Sequence, residues 1–218
     1  MSKKRARKIK LLLFDVDGVL TDGKLFIIPT SESSEEPRSA PGEGFIEVKG
    51  FHAHDGAGIS LAHLAGIKTG LITKRVSQTV ALRARDLNIK YVHQGIQDKL
   101  AAFEEIIEEA GILSSEAAFV GDDVIDLPAM RSCGFAIAVA NARDEVQEEA
   151  HYVTRHGGGD GALRDAIEYI LKAQGKWEDV VDQYIGTKNP KKKALALEDV
   201  GMKDLIPDDN SSRKASRR

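Results

Sequence analysis

Lys10-Leu11-Leu12-Leu13-Phe14-Asp15-Val16-Asp17-Gly18-Val19-Leu20-Thr21-Asp22 (KLLLFDVDGVLTD) is the stretch whose reading decides the fold. An unbroken apolar run ending in carboxylates reads as a strand buried on both faces, with its polar residues at the carboxyl end. Ligands of open α/β sheets bind outside that end, so Asp15 and Asp17 are expected to project into the natural crevice. Outward from it, runs of the same kind recur at Lys68 to Thr73 (KTGLIT), Ile89 to His93, Ala117 to Gly121 and Phe135 to Val139. Segments of helical period lie between them at Gly56 to Leu64, Ser77 to Asp86, Asp98 to Ala110 and Ile125 to Arg131, and residues 161–173 close the series. This alternation predicts an α/β fold with a doubly wound, Rossmann-like parallel sheet.

Two stretches break the rhythm. Residues 30–44 (TSESSEEPRSAPGEG) are poor in apolar side chains and rich in Ser, Glu, Pro and Gly, and read as a flexible insertion. The insertion sits between Lys24 to Ile28 and Phe45 to Lys49, two short strands predicted to pair as a β-hairpin arm after the first strand. Beyond residue 175 an amphipathic stretch, with Trp177 and Tyr184 expected on one apolar face, leads into a polar tail. The organisation expected is a basic N-terminal extension over 1–9, one domain over 10–175 and a C-terminal segment over 176–218.

The 218 residues carry 31 Lys and Arg against 34 Asp and Glu, a formal charge of −3. Residues 1–10 hold six bases and no acid, residues 187–218 hold nine bases and five acids, and the body between holds 16 bases against 29 acids. An acidic body argues against a nucleic-acid partner, and the basic ends read as solvated extensions. No apolar run approaches the roughly 20 residues that span a bilayer, and no signal-like segment opens the chain, so no membrane partner and a cytoplasmic location are expected. A lone cysteine, Cys133, excludes an internal disulfide.

Three more strand ends carry chemistry. Thr73 closes the second core strand, Lys99 begins the helix after the third, and Gly121-Asp122-Asp123-Val124-Ile125-Asp126 closes the fourth. Singly these are a helix N-cap neighbour, a solvated lysine and a capped turn. Jointly, a hydroxyl, an ammonium and a carboxylate cluster converging on an Asp pair make a site for Mg²⁺ and a phosphoryl group. Two carboxylates at one strand end can divide the work of nucleophile and proton carrier.

These motifs resemble those of the haloacid dehalogenase superfamily. Over approximately Lys8 to Gln174 the chain is most similar to the phosphatases of 3-deoxy-D-manno-octulosonate 8-phosphate, through DVDGVLTDG, FHAHDGAGI (51–59), LITKRVS (71–77), HQGIQDKL (93–100), GDDVIDLPAM (121–130) and GGDGALRDAIEYILKAQG (158–175). The resemblance implies a Mg²⁺-dependent phosphatase in which Asp15 is the nucleophile, Asp17 the acid/base, and Thr73 and Lys99 the groups that hold the phosphoryl oxygens. It implies metal ligation by Asp15, the backbone carbonyl of Asp17 and Asp122, with Asp123 and Asp126 supporting. Arg75 would clamp the carboxylate of a phosphorylated sugar acid. His54 and Lys74 depart from the family pattern, where Arg and Gly are usual, and a nine-carbon ulosonate 9-phosphate stays open as substrate. A non-catalytic module that keeps the fold is the alternative from another class.

The spacing from Asp17 to Thr73 and from Thr73 to Lys99 leaves no room for a separate cap domain. A capless phosphatase needs another cover, so a homo-oligomer is expected, a tetramer by family resemblance, with a neighbour's hairpin or C-terminal segment as the lid and Gly157 to Gly161 as its hinge. His52, His54, His63, His93, His151 and His156 lack the spacing of a zinc site, and core packing or substrate contact is the favoured reading.

Overall fold

Strand β1 (Leu11–Phe14) has all four residues buried and pairs in parallel on both sides, with β4 (Lys68–Thr73) and with β6 (Ala117–Gly121). In the computed structural model, which describes residues 2–29 and 45–186, these strands form the centre of a six-stranded parallel sheet of order β5-β4-β1-β6-β7-β8. The outer strands are β5 (Tyr91–Gln94), β7 (Phe135–Ala138) and β8 (Tyr152–Val153). From β1 the chain moves to β4 and β5, then returns across β1 to β6, so the winding reverses between β1 and β6. That reversal opens a crevice at the strands' carboxyl ends. Phe14 pairs with Leu71 and Val120, which places Asp15 beside the ends of both neighbours. The expected doubly wound α/β fold is the one observed.

The helices are α1 (Ser2–Ala6), α2 (Ala53–Leu64), α3 (Gln78–Asp86), α4 (Lys99–Ala110), α5 (Leu127–Ser132), α6 (Asp144–Glu149), α7 (Ala162–Ala173) and α8 (Trp177–Tyr184). Their ends follow local chemistry. Asp98 caps α4 by accepting from Leu100 N and Ala101 N at 3.0 and 3.1 Å, and Gly111 ends it at φ 65°. No helix among the described residues is long and apolar enough to cross a membrane. The chain divides into units Met1–Val180 and Val181–Arg218; in the second, the described residues 181–186 are the last turn of α8 and the turn after it.

The expected arm is present: β2 (Phe26–Pro29) and β3 (Phe45–Val48) pair antiparallel, separate from the main sheet. The expected flexible insertion 30–44 and the tail beyond 186 lie outside the described residues. Three sequence expectations are corrected. Residues 1–9 are not a solvated extension: α1 buries Ala6, and Ile9 joins the same core. Ser2 Oγ donates to His151 O at 2.6 Å and Arg5 to Gly134 O at 2.9 Å, while Gln174 donates to Ile9 O at 2.8 Å. Charge count hid a pair of apolar residues three apart, and burying Ile9 alone contributes about 1.5–3 kcal/mol. The helix expected over 125–131 begins instead as a tight turn at Val124–Asp126 and continues as α5, because Pro128 sits in the first helical turn. Trp177 and Tyr184 do not share a buried face, since Tyr184 is 45% exposed while Trp177 packs on the core beneath the Arg164 and Lys172 cations.

Candidate active site

Past β1 the chain makes a wide turn closed by Thr21 N donating to Val16 O at 2.9 Å. Gly18 stands in it at φ 97°, and a Cβ there would run into the Asp122 carboxylate. The turn thus brings the first motif against the end of β6. The loop 157–161 packs on its other side, with Gly159 N donating to Val19 O at 3.0 Å. A Cβ on Gly158 would strike the Gly18 carbonyl, so the expected hinge is a packed strap. Asp55 anchors that strap: wholly buried in α2, it accepts from Gly161 N at 3.3 Å and Arg164 N at 2.9 Å, serving as the cap that α7 lacks locally.

Asp15 lies just past β1, 7% exposed. One oxygen accepts from Val16 N at 2.6 Å and the other is 2.9 Å from Lys99 Nζ. Lys99, the first residue of α4, also reaches Asp126 Oδ1 at 2.6 Å. Asp126 is fully buried and its second oxygen accepts from Asp122 N at 3.0 Å and Asp123 N at 3.3 Å. Oxygens of Asp15, Asp122 and Asp126 lie within 4.8 Å of one another. Burial, offset in part by Lys99 and reinforced by Asp126, pushes Asp15 up to about 6. Burial and then the fields of Asp126 and Asp15 push Asp122 up to about 7. Burial pulls the Lys99 ammonium down, and the fields of Asp126 and Asp15 outweigh it, so it titrates above the ordinary lysine range.

Asp122 Oδ1 is buried and has no hydrogen-bond partner. An orphaned carboxylate oxygen facing two more carboxylates is what a small, hard divalent cation would satisfy, and an all-oxygen donor set suits Mg²⁺. The residues present therefore fit the expected ion. Asp123 is exposed and its carboxylate accepts from Val124 N at 2.7 Å as a cap, while the buried Asp126 accepts from the Asp122 and Asp123 amides. Thr73 is buried at the end of β4, one strand from Asp15 in the register of the sheet.

Asp17 occupies a different setting. Its Oδ1 is paired with Lys49 and receives the Thr21 hydroxyl at 3.5 Å, while its Oδ2 has no hydrogen bond. The Lys49 side chain is wholly buried and 3.5 Å from Glu47. Arg75 binds Glu47 at 3.0 Å and comes within 3.8 Å of Asp17 Oδ2. Burial alone would raise Glu47; Ser77, Arg75 and Lys49 outweigh it and hold its carboxyl below the usual range. Lys49, Glu47 and Asp55 were missed in the sequence. Lys49 and Glu47 had a usable signal: they alternate with Ile46 and Val48, so this stretch turns two charged residues to the face opposite an apolar pair.

A model of the haloacid dehalogenase-like hydrolase family matches residues 67–164, the class that the switch-point crevice and its acidic cluster define. The 3-deoxy-D-manno-octulosonate 8-phosphate phosphatase of Escherichia coli is 38% identical over 181 residues, 83% of this chain and 89% of the relative. The crystal structure of the phosphatase of that name from Yersinia pestis superimposes with a TM-score of 0.72 at 37% identity, covering 81% of this chain and 88% of that one. One from Moraxella catarrhalis, in complex with magnesium ion, phosphate ion and KDO, gives 0.74 at 36% identity over 84% of this chain and 97% of that one. The chain belongs to the 3-deoxy-D-manno-octulosonate 8-phosphate phosphatase family of haloacid dehalogenase-like hydrolases.

Proposed function

We propose that this chain is a Mg²⁺-dependent phosphatase that releases phosphate from 3-deoxy-D-manno-octulosonate 8-phosphate through an aspartyl-phosphate on Asp15. The observation that carries the reading is the cluster of Asp15, Asp122 and Lys99 at the switch point of a chain 38% identical to a phosphatase of that name. Asp15, Asp122 and the backbone carbonyl of Asp17 would hold the ion, which when bound offsets the repulsion between a carboxylate and a phosphate dianion. Val16 N–H fixes the Asp15 rotamer so that the carboxylate faces the incoming phosphorus. Lys99 and the Thr73 hydroxyl hold the equatorial oxygens as charge spreads over them.

Asp17 moves the protons. Its Oδ1 is committed to Lys49, so Oδ2 is the atom left to give a proton to the departing sugar oxygen and then take one from the water that hydrolyses the aspartyl-phosphate. Asp126 keeps Lys99 and the Asp122 backbone in place, and Asp123 contributes the cap of their loop. Arg75 meets the substrate carboxylate by exchanging it for Glu47, a bidentate pairing.

The cover of the site belongs to another copy of the chain. Phe26 pairs with Val48 and Ile28 with Ile46 on one face of the arm, and these four side chains are 41–54% exposed. An apolar face of this kind on a protruding hairpin supports a homo-oligomer, a tetramer by family resemblance, built through the arm. We place the protein in the reducing cytoplasm, where a lone free cysteine such as Cys133 is ordinary.

The test is phosphate release from the eight-carbon and nine-carbon ulosonate phosphates, with Mg²⁺ and with a chelator. A strong preference for the eight-carbon ester, lost with the chelator, is the expected result. Preference for the nine-carbon ester would assign specificity to His54 and Lys74, and no metal-dependent release from either would overturn the phosphatase reading.

A further inference from the structure

The docking of α1 has a consequence at the opposite end of the sheet from the candidate active site. Lys10 precedes β1 and Glu116 precedes β6, so the surface around them lies at the amino ends of the strands. A four-residue strand separates it from the crevice by about 13 Å. Here the chain leaving α1, the loop before β6 and the end of α7 enclose a cleft of about 910 Å³. Its cationic side chains are Arg7, Lys8, Lys10, Lys172 and Lys176, and Glu116 is the acid among its lining residues.

The cations are placed more than they are neutralised. Arg7 Nε donates to Ala173 O at 3.1 Å and Lys176 Nζ to Ala65 O at 3.1 Å, contacts with carbonyls that leave the full positive charge in place. The Lys8 side chain makes no hydrogen bond or ion pair among the described residues, and its charge helps hold the Glu116 carboxyl below its usual range. Lys10 is paired with Glu116 at 2.7 Å and Lys172 with Glu168 at 2.7 Å. Lys8 also lines a second cleft, of about 370 Å³, with Lys4 and Arg5, so positive charge continues past the rim. At the cleft wall Gln174 donates its amide N–H to Ala6 O and Ile9 O, which leaves its Oε1 buried without a donor.

We propose that this cleft binds a small polyphosphate, a ligand with two or more linked phosphate groups. The volume lies in the range of small-ligand sites, and of the five cations only Lys10 and Lys172 are paired, with Glu116 and Glu168, so the other three favour several negative charges held close together. The orphaned Gln174 acceptor adds a place for a hydroxyl or amino group, which a nucleoside polyphosphate has and inorganic tripolyphosphate lacks. This site is distinct from the phosphatase crevice and does not depend on its substrate. In an otherwise acidic body, its basic character arises because the N-terminal bases are folded onto the domain by Ala6 and Ile9.

The experiment is calorimetric titration of the full-length, Mg²⁺-loaded protein with tripolyphosphate and with a nucleoside triphosphate, at low and moderate salt. Wild type is compared with Lys8→Glu/Lys172→Glu and with the milder Lys8→Ala. The expected result is salt-dependent binding that weakens at least 10-fold in the double variant and measurably in Lys8→Ala, with phosphate release from the sugar ester unchanged in both and thermal stability unchanged in Lys8→Ala; the double variant also loses the Lys172–Glu168 pair, so a cooperative thermal transition is the check that it folds. Tighter binding of the nucleotide than of tripolyphosphate would assign the Gln174 acceptor; equal binding would confine recognition to the phosphates. No binding by wild type, or binding that both variants retain in full, would overturn the proposal, the latter by assigning the anion to the phosphatase crevice. A catalytically dead protein that still binds polyphosphate would separate this inference from the phosphatase reading.

Discussion

Asp15 and Asp17 stand two residues apart on one turn, yet one belongs to the core and the other to an arm. Asp15 is held by Val16 N–H and by a lysine whose side chain is 1% exposed, and that lysine is held in turn by a fully buried Asp126. Every part of this half of the site sits at the end of a central strand or at the start of a helix packed on it. Asp17 is held by Lys49, which reaches it from beyond β3, and the arm that carries Lys49 has an exposed apolar face. The first half is positioned by the sheet; the second by a hairpin whose outer face is uncovered in the single chain. The contrast is between carboxylates held by the central sheet and one held by a protruding hairpin; in the proposed mechanism the groups that meet phosphorus are those the sheet holds.

The largest expected effect tests the rigid half. Asp15→Asn should lower phosphate release by about 10⁴-fold or more while leaving the thermal midpoint unchanged or higher, because a buried charge is removed. Retention of substantial turnover would move the nucleophile elsewhere. Lys99→Met should cost about 3–5 kcal/mol in a denaturant melt at pH 8, since it strands two buried carboxylates, whereas Lys49→Met should cost about 1–2 kcal/mol because Asp17 retains some solvent. Equal losses would erase the distinction between the halves.

A third prediction concerns pH and the metal. Asp15 and Asp122 have folded-state values of about 6 and about 7 against an ordinary 3.8. Each therefore favours the folded state fully below 3.8, and that contribution is lost as pH rises through 6 and 7. Chelator-treated protein should lose thermal stability across this window, and added Mg²⁺ should raise the midpoint more at pH 7.5 than at pH 5. A metal effect independent of pH would exclude these carboxylates as its ligands. The smallest effect belongs to the residue after β4 that meets the arm's Glu47: Arg75→Ala should raise KM about 10-fold with kcat within about threefold, and shift stability by no more than about 0.5 kcal/mol.

Much of this was legible in the chain. Near-continuous apolar runs marked the strands, the three central ones ending in Asp15, Thr73 and Gly121, and a one-dimensional pattern suffices there because both faces of a central strand meet the same apolar surroundings. Asp15, Thr73 and Asp122 could be named because a strand's carboxyl end is a position in sequence as well as in space. The local role of Asp123 was not legible: adjacent carboxylates in a turn face different ways, and its own next amide claims one of its oxygens. The N-terminal bases misled through their charge, since Ala6 and Ile9 are too sparse to register in composition.

By itself the sequence determined the strand order's raw material: which runs are buried on both faces, where each ends, and which polar residue stands at that end. Those are local properties, written in periodicity and in caps. Tertiary structure alone decided that Lys49 meets Asp17 across 32 residues, that Lys99 meets Asp126 across 27, that Asp55 caps a helix more than 100 residues away, and that the N-terminal bases line a cleft. Each of those pairings depends on how the chain returns across the sheet and where the arm folds back, and the energy that selects them comes from burying many residues together. No short window of sequence contains that sum.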